Sequence, residues 1–276
     1  MRTLCAFLTI AFLTTSVAVC SQTAQPETPP AELAPAEPAP SAANQQDILA
    51  RIAKGALRYQ GEVPDFLCEE SITRSEASTK TPVRWKQLDT LEEELGFVGG
   101  RETHTLLRIN GKPTRVSHEE LDGMRSDGLL QFVMVPSWIF GAQVNTRFDW
   151  SRWETRAGRR VAVFAFQVPP SISTHPLVNK STSFLVGYHG LVYADPTTGD
   201  MARLEAAMDA PKDFPFQEDA FEIDYGQVDI AGQPFLLPVK SVGWVREGKQ
   251  LTRNEIEFGE YRKYGAAATV IFGGPK

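Results

Sequence analysis

The chain predicts a mainly β (α+β) fold: a curved antiparallel sheet or unclosed β-barrel with an N-terminal helix and a central apolar helical insert. Three observations carry that reading. From Phe66 onward the hydrophobic period is mostly two: Phe221, Ile223 and Tyr225 alternate with Glu222 and Asp224, and Ile256 and Phe258 alternate with Glu255 and Glu257. Such alternation gives a strand one packed and one wet face, the habit of antiparallel sheets. Turn chemistry separates the runs, with Gly158, Gly199, Gly232 and Gly248 supplying positive φ and Pro196 presetting a turn. Helical spacing, by contrast, is confined to one stretch ahead of the strands and one apolar insert among them. Hairpins in this number imply a meander that curls, because a many-stranded sheet twists.

In chain order, Arg2 precedes an apolar run from Thr3 to Val19, with small residues near Ala18; this is the form of a secretory signal peptide over residues 1–20. Val17-Ala18-Val19-Cys20 also resembles a lipoprotein signal in which Cys20 would be acylated, although Val19 stands where a small residue normally precedes the cysteine. Residues 21–44 hold six Pro, seven Ala and three Glu. They have too little apolar surface to offset the entropy of ordering, so a disordered, extended tether is expected. Residues 45–276 then make a single β-rich domain, periplasmic or secreted, and membrane-anchored only through Cys20 if it is lipidated.

Asn44 and Asp47 have the form of a helix start, and Ile48, Ile52, Ala56 and Tyr59 recur at helical spacing until Gly61 and Pro64. One apolar stripe, with Arg51, Lys54 and Arg58 turned outward, suits a helix laid on a sheet. Strands are expected over 66–77, 83–95, 101–109, 146–156, 159–168, 182–188, 190–195, 200–209, 219–230, 234–246 and 250–263. One stretch breaks the rhythm. After Ser126-Asp127-Gly128, residues 129–140 crowd Leu129, Leu130, Phe132, Val133, Val135, Trp138, Ile139 and Phe140 around a single Gln131, which predicts a short helix broken at Pro136.

Without residues 1–44 the domain has 27 basic and 31 acidic side chains, a net charge of −4, obtained by removing Arg2, Glu27, Glu32 and Glu37 from the 28 and 34 of the whole chain. Attraction to nucleic acid is disfavoured at that balance. Cys68 is the lone cysteine after processing, so no intramolecular disulfide forms, and its apolar neighbours point to a buried, inert thiol. The nucleophile elbow, zinc-protease, phosphate-loop and dinucleotide motifs are all absent from the sequence. No catalytic residues, metal ligands or cofactor are expected. His104, His118, His175 and His189 stand singly, and His118-Glu119-Glu120 with Asp122 reads as a solvated helix start. Glu92-Glu93-Glu94 reads as a solvated acidic edge in which only Glu92 and Glu94 share a face. Ser183, His189 and Asp195 are close in the chain, but that proximity is no triad. A hydrolase would need at least two of the histidines to meet carboxylates in one cleft.

The order of elements, with the hairpin Tyr193-Ala194-Asp195-Pro196-Thr197-Thr198-Gly199 and the segment from Val228 to Pro238, resembles the LolA-type lipoprotein carriers and the related LppX and RseB-like domains. Pro64 to Cys68, with Phe258 and Tyr261, is similar to a further group of exported bacterial proteins. The resemblance spans roughly residues 45–272. It implies an unclosed barrel whose helices cap a hydrophobic cavity, and hence a carrier-like, non-enzymatic protein binding a lipid or other apolar ligand. On that reading Leu129, Phe132, Val133, Trp138 and Phe140 line the ligand site. The alternative is an envelope scaffold or protein-interaction module that contacts envelope proteins through an exposed apolar patch and has no ligand cavity.

Overall fold

Ser41 opens the first helix. Its hydroxyl accepts the backbone N–H of Asn44 (3.3 Å), and α1 runs Ala42–Glu62 in a computed structural model that describes residues 37–117, 121, 133, 135–173, 176–179, 182–211, 214 and 216–265. Cys20 and the signal segment, most of the tether, Leu129 and Phe132 lie outside the described residues. The helix begins within the last residues of the segment expected as tether. Residues 42–44 are helical, and the residues before them are tied down: Trp153 Nε1–H donates to the Pro38 carbonyl (3.1 Å), Gln45 Nε2–H donates to the Pro40 carbonyl (2.8 Å), and Arg160 pairs with Glu37.

Along α1 the stripe Ile48, Ile52 and Ala56 is buried, while Arg51, Lys54 and Arg58 face outward. The helix lies against the strand pair around Asp195–Asp200 at backbone contact distance. A Cβ on Gly199 would meet the Arg51 carbonyl oxygen at 2.3 Å, and φ there is +78°, so both geometry and closeness require glycine. Asp195 Oδ1 accepts the N–H groups of Thr197 (2.7 Å) and Thr198 (3.1 Å) and shapes the turn that offers this seat.

The remaining chain is sheet. Strands β1 (Phe66–Ser78), β2 (Lys86–Val98), β3 (Arg101–Ile109) and β4 (Lys112–Pro113) precede a short helix α2 (Val135–Phe140). Strands β5 (Arg147–Arg156), β6 (Arg159–Val168), β7 (Pro176–Asn179), β8 (Thr182–Leu185), β9 (Gly187–Ala194), β10 (Met201–Asp209), β11 (Glu218–Ile230), β12 (Gln233–Glu247) and β13 (Gln250–Lys263) follow it. Eleven of them form one antiparallel sheet in the order β4-β3-β2-β1-β13-β12-β11-β10-β9-β6-β5, while β7 and β8 pair in a separate ribbon. The sheet is unclosed, with β4 and β5 at its edges. Its concave face carries the core beneath α1 and α2, which pack on each other. Its outer face holds a small buried patch of Val161, Val163 and Tyr193 and is otherwise laced with ion pairs, including the bidentate Arg203–Asp224 pair (2.6 and 2.5 Å) and Arg108–Glu92 (2.5 Å). Among the described residues no helix is long and apolar enough to cross a membrane.

Three expected elements differ. Pro136 sits in the first turn of α2 and starts that helix, because the N–H it lacks would have no intrahelical partner there. Strands expected at 182–188 and 190–195 become β8 and β9, since Gly190 lies within β9, where a Cβ would meet the Glu205 carbonyl oxygen at 1.8 Å. The expected 83–95 strand runs 86–98, leaving Val83 and Trp85 in the preceding loop.

Candidate functional site

The concave face divides into an aromatic half and a polar half, and each is built with a β-bulge. On β6, Ala162, Phe164 and Phe166 point inward and are buried. Their partners on β5 are Trp153, Trp150 and Phe148, and the ladder skips Ser151 between Trp150 and Arg152. That extra residue shifts the phase of the strand, so Trp150 and Trp153 share a face although they are three apart. The rings interlock: Trp150 meets Trp153 edge-on at 4.8 Å and Phe164 at 5.3 Å, and Phe148 stacks on Phe140 of α2 at 5.1 Å. Edge-on and offset contacts of this kind suit the ring quadrupoles. Tyr188 O–H donates to the Trp138 carbonyl (2.5 Å), which ties α2 to β9. Burial pushes the Tyr188 phenol up to about 12.

Of the residues expected to line a ligand site, Val133, Trp138 and Phe140 are buried in this same core. Leu129 and Phe132 lie outside the described residues. The α2 residues close over the aromatic half, and a cleft of about 140 Å³ opens elsewhere, between α1 and the β11–β12 hairpin, against Val63, Pro234, Phe235 and Leu236. That is below the 300–1,000 Å³ usual for small-molecule pockets, whereas an open cleft of about 520 Å³ borders Glu70, Glu93, Leu107, Arg108 and Phe258.

The polar half lies on β1, β2 and β3. Phe66, Cys68, Glu70 and Ile72 point inward from β1, opposite Phe97, Leu95, Glu93 and Leu91 of β2. Glu70 and Glu93 are thus direct cross-strand neighbours on a buried face, with exposures of 2% and 0%. His104 Nδ1 lies 2.8 Å from Glu70 Oε2 and 3.8 Å from Glu93 Oε2. A bulge aims it there. The β2–β3 ladder pairs Glu92 with Arg108 and then Glu93 with Leu106, so the exposed Leu107 is the extra residue. Counting back by twos from the inward Ile109 without that bulge would send Glu102, His104 and Leu106 outward. With it, Glu102 Oε1 accepts the Val133 N–H (2.8 Å) from inside.

This corrects two expectations. The acidic run is no uniform solvated edge: Glu92 pairs with Arg108 and Glu94 with Arg262 on the outer face, whereas Glu93 is buried. His104 is not an isolated histidine. The signal was present in the phase of the strands, since Glu70 occupies an inward position between Cys68 and Ile72, and Glu93 one between Leu91 and Leu95. The cysteine expectation holds: Cys68 is buried, and burial first, then the charge of Glu70, holds its thiol well above the ordinary range. His189 pairs with Asp209 (2.8 Å) on an exposed part of β9, seven places along the sheet from β3. The two described histidines therefore do not share a cleft; His118, with Glu119, Glu120 and Asp122, and His175 lie outside the described residues.

No family model matches the chain, and no curated protein matches it. Solved structures similar to it include a LolA superfamily protein from Nitrosomonas europaea, at 8% identity over 80% of this chain and 93% of that one with a TM-score of 0.29. A domain named for outer membrane lipoprotein sorting, from Vibrio parahaemolyticus, is similar at 10% identity over 79% of this chain and 92% of that one, with a TM-score of 0.33. A DUF1329 family protein from Desulfovibrio piger is similar at 10% identity over 80% and 94%, also with a TM-score of 0.33.

Proposed function

We propose that this domain binds a lipid or other apolar chain on its concave face, between the aromatic half of the sheet and the segment that ends in α2, and that it works in the cell envelope as a carrier-like protein without catalysis. One observation carries the reading. Among the described residues, the six-residue helix α2 packs Trp138, Ile139 and Phe140 inward against the aromatic half of the open sheet and is tied to β9 by the Tyr188–Trp138 hydrogen bond. A cover that small can be displaced by breaking few contacts, and what it would uncover is stacked rings suited to an acyl chain. The export signal read in residues 1–20 supports an envelope setting.

Native mass spectrometry with solvent extraction of the purified protein tests this. A co-purifying acyl species near one per chain is expected. A protein that carries none, and takes up none on incubation with fatty acid or lysolipid, overturns it. A second reading, an envelope scaffold, draws on the exposed Val83, Trp85 and Leu88 around the start of β2. A stable envelope-protein partner that is lost in a Trp85→Ala variant, with no bound lipid, would favour it.

A further inference from the structure

Among the mainly apolar inward side chains of β1, β2 and β3, a nitrogen and two carboxylates from three neighbouring strands come together. We infer that Glu70, Glu93 and His104 form a binding site for a divalent transition-metal cation of the zinc type. One donor atom from each residue lies within 4.8 Å of the others. Two donors at about 2.0–2.1 Å from a tetrahedral ion stand about 3.3 Å apart, and the separations of 2.8 and 3.8 Å from His104 Nδ1 bracket that value. Closing the set around an ion therefore needs only side-chain adjustment.

The register is a second, independent argument. Like charges directly opposite one another across two strands are destabilising, and Glu70 and Glu93 are placed so on a buried face among Leu91, Leu95, Ile72 and Phe258. A dication turns that repulsion into attraction to both carboxylates at once. The donor set decides the class of ion. Calcium takes six to eight oxygen ligands, whereas a mixed imidazole and carboxylate set suits zinc and its first-row neighbours. Three protein ligands leave one position of a tetrahedral shell for water or for a polar group of a bound molecule. The bulge at Leu107 is what delivers His104 to the inner face, and bulges recur where a side chain must be re-aimed. Neither glutamate is a chain neighbour of His104, so the three meet only through strand register.

The test is a titration of the chelator-stripped, purified protein with Co²⁺, followed by visible absorption and by amide NMR. One equivalent is expected to bind, to be displaced by Zn²⁺, and to broaden resonances centred on β1, β2 and β3. Glu93→Gln and His104→Ala should each weaken it at least tenfold while leaving the circular dichroism spectrum intact. Absence of saturable uptake, unchanged affinity in a folded Glu93→Gln protein, or broadening centred on the exposed His189–Asp209 pair would overturn the site. Should a variant not fold, the broadening map of the unaltered protein decides alone. Lipid uptake is read separately, so either proposal can fail without the other.

Discussion

Strands β3 and β5 lie at or beside opposite edges of the sheet, and each carries one extra residue, Leu107 in one and Ser151 in the other. Both bulges turn inward side chains that strict alternation would leave outside, and they deliver opposite chemistries. At β5 the gain is Trp153, joined to a stack of rings whose stabilisation comes from burial and contact. At β3 it is Glu102 and His104, which meet Glu70 and a backbone N–H where burial costs energy unless every charge finds a partner. The same backbone device thus gives one end of the concave face a surface of stacked rings and the other a cluster of polar donors, and the difference lies wholly in the residues supplied.

The largest effect expected on this comparison comes from the aromatic half. Phe164 is buried at 2% and holds Trp150 edge-on. Phe164→Ala should cost about 3–5 kcal/mol in urea unfolding, the usual penalty for truncating a buried aromatic. A cost under about 1 kcal/mol would mean that the ring stack already borders empty space.

Next in size is the tie between α2 and β9. The Tyr188 phenol is pushed up to about 12 by burial, against about 10 in an unfolded chain. A raised value means the fold holds the proton more tightly, so this stabilisation is complete below pH 10 and is lost as pH rises from 10 through 12. The loss amounts to about 2–3 kcal/mol at about 1.4 kcal/mol per pH unit. Alkaline denaturation of Tyr188→Phe should lack that portion of the slope; an identical profile would place the effect elsewhere.

The smallest effect concerns the docked arm beside Trp153. Ser41→Ala removes the α1 cap and should lower stability by about 1 kcal/mol. Thermal unfolding reads it, and an unchanged midpoint would show that the Ser41 cap contributes nothing.

Much of the sheet is legible in the sequence because its strands alternate cleanly: β1, β3, β5, β6, β10, β11, β12 and β13 fall within about two residues of where period and turn residues place them. The bulges are not legible. Leu107 and Ser151 look like ordinary members of their strands, and only pairing with a neighbour shows them to be surplus. For the same reason the Glu70–Glu93–His104 cluster stays hidden, since its members are 23 and 11 positions apart along the chain, by subtraction of their numbers, and meet only through register. Val133, Trp138 and Phe140 were visible as an apolar insert, because composition alone marks a segment that must be buried.

On the proposed function, α2 is a displaceable cover over the aromatic half. Tryptophan emission of the protein and of its Trp138→Phe variant, titrated with lysolipid below micelle concentration, tests it most directly, since Trp138 lies in the cover while Trp150 and Trp153 lie on the sheet beneath. A saturable spectral shift in the unaltered protein, with the Trp138 contribution missing from a variant that still binds, is the expected result. No shift in either protein, with lipid recovered quantitatively in the free fraction, would contradict it.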